Sequence, residues 1–354
     1  MADSPCERVN PARAGKSEPV PRLRRSDCSG PGIERRRAGR GFVYLDDGER
    51  VEEPEVLERI RAPGIPPAWR DVWICPDPRG HLQATGIDAA GRKQYRYHDA
   101  WRVRRDAEKF EDMTRFAGAL PRLRKRVAAD LETGEEPTRE RVLAASVRLL
   151  DRGFFRIGSE QYAVTHESYG LATMRKEHVT LAPDGTMIFD FPAKSSQRRV
   201  QAVVDPLVTD LIGTLKRRRG GGPELLAYRE RRRWRDVRSP DINAYVKDAT
   251  GDDFSAKDFR TWNATVLASV ALAVTSPNAS PKAAITRAVK ETARYLGNTP
   301  AVCRSSYIDP RVFDAYRGGE VLDRELLERA VAPGNELPIH HRAIEEAVLE
   351  LLAG

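Results

Sequence analysis

The chain has 354 residues, of which 60 are Lys or Arg and 52 are Asp or Glu, so its formal net charge is +8. Apolar residues make up 40% and charged residues 32%, a composition typical of globular proteins rather than of membrane proteins. At roughly 100–200 residues per domain, this length predicts two domains. The longest uncharged stretch, residues 261–281, has an apolar part too short to cross a bilayer, so we expect a buried helix there and no membrane partner.

The charge is distributed unevenly. Residues 1–40 carry 10 basic and 5 acidic side chains, whereas residues 320–354 carry 3 basic and 8 acidic ones. A basic body with a basic arm favours a polyanionic partner such as nucleic acid. The alternative is a general preference for arginine, since Arg outnumbers Lys 49 to 11.

Cysteine and histidine are sparse. The four cysteines, Cys6, Cys28, Cys75 and Cys303, form no Cys-x-x-Cys pair, which predicts neither a zinc ribbon nor a disulfide framework. No histidine lies between His178 and His340, so a central histidine-based metal site or Ser-His-Asp triad is hard to build. The N-terminus lacks the apolar segment of a secretory signal, and we therefore expect a cytoplasmic protein.

The first 106 residues predict two different regions. Residues 1–40 contain five prolines and little aliphatic periodicity, which predicts a disordered basic arm. Short β-rich runs separated by turn residues predict a small β-rich domain over residues 41–106. Its predicted elements are strands at 41–45, 72–75, 81–86 and 92–97, and a helix at 51–60.

Residues 107–354 predict a mainly helical domain, which makes the fold class α+β. Two β-rich runs, 177–182 and 186–191, flank Pro183-Asp184-Gly185 and predict a β-hairpin. The predicted helices span 108–131 with an interruption at Pro121, and then 139–150, 206–217, 240–249, 256–273 and 281–296. The remainder, 310–352, is predicted to form short helices.

Five segments of the helical domain carry polar residues suited to phosphate chemistry. They are Phe154-Phe155-Arg156-Ile157-Gly158, Phe191-Pro192-Ala193-Lys194, Lys257-Asp258-Phe259-Arg260, Leu296-Gly297-Asn298-Thr299-Pro300 and Ser305-Ser306-Tyr307. Their order resembles that of the type IB DNA topoisomerases, and most closely that of the compact poxvirus-like branch found in bacteria. The resemblance runs from about Phe42 to Tyr316. Each segment alone is weak evidence, but five in register are specific.

The resemblance implies a monomeric enzyme whose two domains form a bilobal clamp on double-stranded DNA at the bacterial nucleoid. It implies that Tyr307 cuts one strand, leaves a 3′-phosphotyrosine and reseals the strand without ATP, metal or a small-molecule cofactor. It places Arg156 and Arg260 at the phosphate. A guanidinium stays protonated at neutral pH and donates paired hydrogen bonds, so it suits the charge that builds on nonbridging oxygens.

Two further catalytic residues follow from the same resemblance. Lys194 occupies the position of the general acid that protonates the leaving 5′-oxygen. Asn298 stands where many relatives have histidine, and an amide donates a hydrogen bond without a positive charge. We therefore expect a weaker contribution from Asn298 and little change in cleavage rate between about pH 6 and 7.5, where imidazole titrates.

Further residues resemble the DNA contacts of the family. Tyr95 and Tyr97 lie in a strand beside Arg92 and Arg96, and Tyr162 follows Arg156 closely; such side chains meet phosphates and bases. The alternative is that Tyr95 and Tyr97 simply share one face of a strand whose side chains alternate inward and outward, without a role in DNA binding. The basic runs 216–219 and 229–235 predict either a patch that follows the DNA backbone or a solvated helix end.

Two other functions remain open. Tyrosine recombinases and integrases share the Arg-Lys-Arg-Tyr chemistry, but they usually carry His-x-x-Arg where this chain has Lys257-x-x-Arg260, and their N-terminal domain is typically helical. A noncatalytic DNA-binding protein could have kept the fold, and the asparagine at position 298 leaves room for that reading.

Overall fold

The computed structural model describes residues 22–194, 197–276, 279–330 and 340–354. The chain divides into two compact units, Met1–Glu108 and Lys109–Gly354, and the boundary lies close to the one predicted at residue 106. The first unit is β-rich and the second is mainly helical, which confirms the α+β fold class. Across the described ranges, no helix is both long and apolar enough to cross a membrane.

The first unit is built on a six-stranded antiparallel sheet with the strand order β3-β2-β1-β4-β5-β6. Helix α1 (Pro54–Arg61) follows β3, and Ile60 from this helix packs against Ile33, Val72 and Ile74 of the sheet. The strands are β1 (Ile33–Ala38), β2 (Gly41–Asp46), β3 (Glu49–Arg50), β4 (Arg70–Ile74), β5 (Leu82–Ile87) and β6 (Lys93–Tyr97).

Strand β1 shows that the predicted disordered arm is wrong for its last part. Residues 1–21 lie outside the described residues, but β1 pairs with both β2 and β4 inside the sheet. Arg35 is held there because its guanidinium donates to the carbonyls of Ile65, Pro66 and Trp69. The arginine-rich composition hides this strand, because Ile33 is buried, Arg35 is half-buried and the other residues of β1 are exposed. Backbone pairing, rather than apolar alternation, therefore defines the strand.

The second unit consists mostly of helices around one large core. Helix α7 lies in its centre, with Phe259, Trp262 and Val266 almost fully buried. The helices after α1 are α2 (Asp99–Glu132), α3 (Arg139–Gly153), α4 (Glu160–His166), α5 (Pro206–Arg217), α6 (Ser239–Thr250), α7 (Ala256–Ala273), α8 (Pro281–Leu296), α9 (Pro300–Ser306), α10 (Pro310–Arg317), α11 (Arg324–Ala330) and α12 (Arg342–Ala353).

Helix α2 continues through Pro121, so the predicted interruption is wrong. Proline removes one backbone donor and normally disturbs the preceding turn. Here Pro121 lies on the exposed side of the helix, while Phe116, Leu120 and Leu123 are buried on either side of it along the chain. Packing of these apolar side chains outweighs the lost hydrogen bond.

The predicted hairpin of the second unit is confirmed and belongs to a three-stranded sheet. Strands β7 (Val179–Leu181) and β8 (Met187–Ala193) form the hairpin, and β9 (Gln197–Val203), which the sequence did not predict, pairs with β8 along its whole length. Lys194 directly follows β8 and therefore belongs to the connection between β8 and β9.

The basic runs are more ordered than expected. Residues 229–235 are not a helix end but form most of a second hairpin, β10 (Ala227–Glu230) and β11 (Arg233–Asp236). Within the run 216–219, Lys216 lies in the last turn of α5 and donates to the carbonyls of Lys176 and Val179. The Arg218 guanidinium is buried and donates to the Leu215 carbonyl at 2.9 Å. The charged groups of Lys216 and Arg218 therefore stabilise the fold through hydrogen bonds to backbone carbonyls.

Candidate active site

Arg156 lies in a tight loop that follows α3. The backbone N–H of Leu171 donates to the Arg156 carbonyl at 2.8 Å. Gly158 has a φ of +91°, which is unfavourable for residues with a side chain. A Cβ atom on Gly170 would lie 2.5 Å from the Cα atom of Gly158. The two glycines let the backbones approach closely, and this contact fixes the position of Arg156.

Arg260 lies in the first turns of α7. The helix begins at a capping box, in which the Asp258 carboxylate accepts a hydrogen bond of 2.8 Å from the Ser255 backbone N–H. The Arg260 side chain is buried, and it donates to the carbonyls of Phe154 at 2.6 Å and Leu296 at 2.9 Å. Arg260 thereby joins the Arg156 loop to the end of α8.

Tyr307 follows α9 and faces this guanidinium. The Cζ atom of Arg260 is 5.2 Å from the centroid of the Tyr307 ring, and the Thr265 hydroxyl of α7 donates to the Tyr307 carbonyl at 3.4 Å. Burial alone would raise the pKa of Tyr307. The charge and hydrogen bond of Arg260, together with the charge of Arg156, outweigh burial and lower that pKa below its ordinary value. The phenol is therefore more acidic than a tyrosine in water.

Asn298 lies directly against Arg156. It follows Gly297, which ends α8 with a φ of +62°. Arg156 donates to the Gly297 carbonyl at 2.8 Å and to Oδ1 of Asn298. Because a guanidinium only donates, the oxygen of the Asn298 amide must face it. The buried Nδ2 then has no hydrogen-bond partner within the described ranges, so it is a spare donor beside Arg156.

Lys194 borders a concavity that Arg156 and Gly297 also line. Its side chain is exposed, so it can approach a substrate from the rim. The five predicted catalytic residues are thus collected around one part of the second unit. Across the described ranges, no group of three or more His, Cys, Asp or Glu side chains could hold a metal ion.

One functional candidate was missed by the sequence analysis. Arg199 of β9 lines this concavity and also a small inner cavity, which it shares with Arg156 and Arg260. The signal was the pair Arg198-Arg199 shortly after Lys194, but without a predicted strand nothing showed that one of them faces the site.

The DNA-contact candidates of the first unit are differently placed. Tyr95 and Tyr97 of the edge strand β6 are 47% and 41% exposed, and their stacked rings have centroids 6.2 Å apart. Arg92 is exposed but pairs with Asp88 at 2.8 Å. The alternation of β6 turns Arg96 away from the two tyrosines. Its guanidinium donates to a backbone carbonyl and lies over an indole ring, although the residue borders the same concavity as the tyrosines.

Tyr162, the remaining candidate, lies on α4 in the second unit. Its side chain is 48% exposed, and its ring centroid is 5.4 Å from that of His166. The side chain is therefore accessible to a ligand.

Two family models match the chain. The model described as "Eukaryotic DNA topoisomerase I, catalytic core" matches residues 98–318, which is more than half of the chain and includes all five predicted catalytic residues. The model described as "Bacterial DNA topoisomerase IB, N-terminal domain" matches residues 41–88. The chain belongs to the type IB DNA topoisomerases. This membership confirms the resemblance inferred from the sequence.

Individual relatives agree with this assignment. A DNA topoisomerase 1B from Acanthamoeba polyphaga mimivirus is 32% identical over 306 residues, which cover 81% of this topoisomerase and 88% of the viral protein. A DNA topoisomerase 1B from Vaccinia virus (strain Copenhagen) is 26% identical over 247 residues, or 67% and 73% of the two chains. A DNA topoisomerase 1 from Schizosaccharomyces pombe is 32% identical over 161 residues, which are 45% of this chain and 19% of the yeast protein.

Proposed function

We propose that this topoisomerase relaxes supercoiled double-stranded DNA by cutting and rejoining one strand through Tyr307. The observation that carries the proposal is the position of the Tyr307 ring beneath the buried Arg260 guanidinium, where Arg260 and Arg156 lower the pKa of the phenol. A more acidic phenol forms the nucleophilic phenolate more readily. The same two guanidinium groups match the negative charge of a phosphodiester.

In the cleavage step, the phenolic oxygen of Tyr307 forms a bond to phosphorus while the bond from phosphorus to the sugar 5′-oxygen breaks. The phenol proton passes to water, and Lys194 donates a proton to the leaving 5′-oxygen. Arg156 and Arg260 stabilise the charge that builds on the nonbridging oxygens, and Nδ2 of Asn298 donates a further hydrogen bond. The product is a 3′-phosphotyrosine.

Rejoining reverses these steps. One phosphodiester bond replaces another, so the bond energy is retained and no ATP is required. The guanidinium groups supply the positive charge at the phosphate, and we propose that neither a metal ion nor another cofactor is needed. All five residues belong to one chain and one unit, which supports our proposal that the enzyme acts as a monomer.

The duplex contacts both units in this proposal, which then act as a clamp. Tyr95, Tyr97 and Tyr162, whose side chains are partly exposed, contact DNA. Arg92 and Arg96 are weaker candidates, because each already has a partner within the protein. The match to the bacterial N-terminal domain supports a role at the bacterial nucleoid.

Relaxation of supercoiled plasmid in the presence of EDTA and without ATP tests the proposal. The wild type should relax both positively and negatively supercoiled plasmid, and Tyr307→Phe should not. Denatured wild-type reactions should contain protein attached to the 3′ end of the nicked strand.

Two results would contradict the proposal. Relaxation that disappears with EDTA would rule out the metal-independent reaction. A wild type that relaxes no plasmid would favour a recombinase that requires its own site, or a binding protein inactivated by Asn298.

A further inference from the structure

The Arg199 guanidinium extends from β9 into the centre of the site. It lines the inner cavity with Arg156 and Arg260, and the outer concavity with Arg156 and Lys194. Its Nη1 atom lies over Gly297, where a Cβ atom would come within 2.5 Å of it. Gly297 precedes Asn298, so Arg199 is next to the position that carries histidine in many relatives.

Three guanidinium groups are thus collected without a counterion. Within residues 22–194, 197–276, 279–330 and 340–354, no carboxylate lies within ion-pair distance of Arg156, Arg199 or Arg260. Burial, together with the charges of Arg260 and Arg156, lowers the pKa of Arg199 to about 10. Arg260 is buried, and Arg156 and Arg199 are half-buried. Charges withdrawn from water are normally paired, so three neighbouring unpaired guanidinium groups favour the binding of an anion.

The hydrogen bonds of Arg199 leave part of its guanidinium available. Its Nη2 atom donates to Oε1 of Gln201 at 2.9 Å and to the Tyr295 carbonyl. In the described part of the chain, neither Nε nor Nη1 has an acceptor. The two existing bonds fix the orientation of the group, and its remaining donors can therefore meet a ligand without reorganisation.

We propose that Arg199 is a further catalytic residue, which binds a nonbridging oxygen of the scissile phosphate and supplies the positive charge that Asn298 lacks. This inference rests on the proposed function of the site. Arg199 takes no part in proton transfer. It contributes a fixed charge and hydrogen bonds that strengthen as the oxygen becomes more negative in the transition state.

The neighbouring Arg198 provides a matched control. It lies on the same strand, but its guanidinium is exposed and forms hydrogen bonds of 2.8 and 2.5 Å with Asp190. Arg198→Ala and Arg199→Ala therefore each remove one guanidinium from β9. Both residues border the outer concavity, but only Arg199 also lines the inner cavity with Arg156 and Arg260. Arg199→Lys keeps the charge but loses the fork of donors.

The experiment measures single-turnover formation of the Tyr307 adduct on a short duplex. One substrate has an ordinary phosphodiester at the cleavage site, and two others carry the separate diastereomers of a methylphosphonate, in which a neutral methyl group replaces one nonbridging oxygen. On the phosphodiester, Arg199→Ala should be slower than the wild type by roughly 10²–10³-fold, the effect of removing one oxyanion donor. Arg199→Lys should recover part of this loss, and Arg198→Ala should match the wild type.

The methylphosphonates distinguish phosphate contact from a structural role. On one diastereomer the deficit of Arg199→Ala should nearly vanish, because the charged oxygen that Arg199 meets is missing. An equal rate deficit on all three substrates would overturn the proposal and show that Arg199 only supports the fold. In that case, thermal unfolding of the variant would show a loss of stability. An Arg199→Ala variant as fast as the wild type would overturn this proposal alone. A wild type that forms no adduct would overturn the proposed function as well.

Discussion

The Arg260 guanidinium lies over the Tyr307 ring, with its Cζ atom 5.2 Å from the ring centroid. Backbone carbonyls of Phe154 and Leu296 hold this guanidinium, and among the described residues no carboxylate pairs with it. Carbonyl dipoles fix the group without cancelling its charge. The full charge therefore remains available to the phenol and to a phosphate.

Replacing Arg260 with lysine should expose the importance of this arrangement. Lysine is a point charge that cannot hold both carbonyls and face Tyr307 at once. We expect Arg260→Lys to slow adduct formation by roughly 10²–10³-fold, with duplex binding close to that of the wild type. Lysine should also lower the pKa of Tyr307 less than arginine does. The pH at which the cleavage rate rises should therefore be higher for the variant than for the wild type.

Arg304→Lys is the control for this measurement. Arg304 also lies over an aromatic ring, with its Cζ atom 5.0 Å from the Phe313 centroid, but it is exposed and does not line the site. Its variant should cleave like the wild type. Equal rates for Arg260→Lys and Arg304→Lys would contradict the role given to Arg260.

The amide of Asn298 predicts a particular pH dependence. The wild type should show no inflection with an imidazole-like pKa between about pH 6 and 7.5. Asn298→His introduces a group that gains a positive charge as the pH falls through about 6.5, so the ratio of variant rate to wild-type rate should rise on acidification. Single-turnover cleavage from pH 5.5 to 8 measures this ratio. A wild-type inflection in that range, or a constant ratio, would contradict the prediction.

A buried ionic network joins several helices of the second unit. Arg124 of α2 donates to the Asp151 carboxylate at 2.8 and 3.0 Å and to Glu345 of α12 at 2.9 Å. The Trp262 indole of α7 also donates to Glu345 at 2.9 Å. Arg124→Met should destabilise the second unit by about 3–5 kcal/mol, because it leaves two carboxylates buried without their partner. Urea denaturation measures this loss. Arg115→Met removes two exposed ion pairs of the same helix, with Asp112 and Asp252, and should have little effect.

The same network makes the stability of the second unit depend on pH. Burial alone would raise the pKa of Asp151, but the charge and hydrogen bonds of Arg124 lower it to about 2. The unfolded chain has an Asp pKa of about 3.9, so this stabilisation is complete above that pH and is lost as the pH falls towards 2. In Arg124→Met, the unpaired carboxyl should prefer its neutral form. Stability of the variant should then rise on mild acidification, and a parallel decline of both proteins would contradict this assignment.

Local signals in the sequence predict the longer helices of the second unit, but not the short helices α4 and α9. Helix α7 was predicted with its observed bounds because Ser255 and Asp258 form a capping box at its start. Helix α5 begins where Asp205, whose side chain accepts from the Leu207 N–H, precedes Pro206. Strand β1 and the full length of α2 were not predictable in this way, since tertiary contacts override their local composition.

The grouping of the candidate-site residues was predictable from residue order, but their electrostatic environment was not. The five segments from Arg156 to Tyr307 identify the family. Arg198 and Arg199 are adjacent and chemically identical, and only the pairing of β9 with β8 decides that Arg198 faces Asp190 while Arg199 enters the site. The orientation of the Asn298 amide was likewise not predictable, because it depends on the contact of that amide with Arg156.

The approach of Gly170 to Gly158 leads to a final prediction. A Cβ atom on residue 170 would lie 2.5 Å from Cα of Gly158 and 2.7 Å from the carbonyl oxygen of Arg156. These are backbone atoms, so the Arg156 loop must shift in Gly170→Ala. A displacement of about 1 Å can cost roughly 10²-fold in rate, and we expect a loss of that order in adduct formation. Gly118→Ala is the control, because that exposed helical position has nothing within 4 Å, and there alanine should stabilise α2 by about 0.5–1 kcal/mol and leave cleavage unchanged. A Gly170→Ala variant with wild-type cleavage and unfolding would show that the loop does not need this close contact to place Arg156.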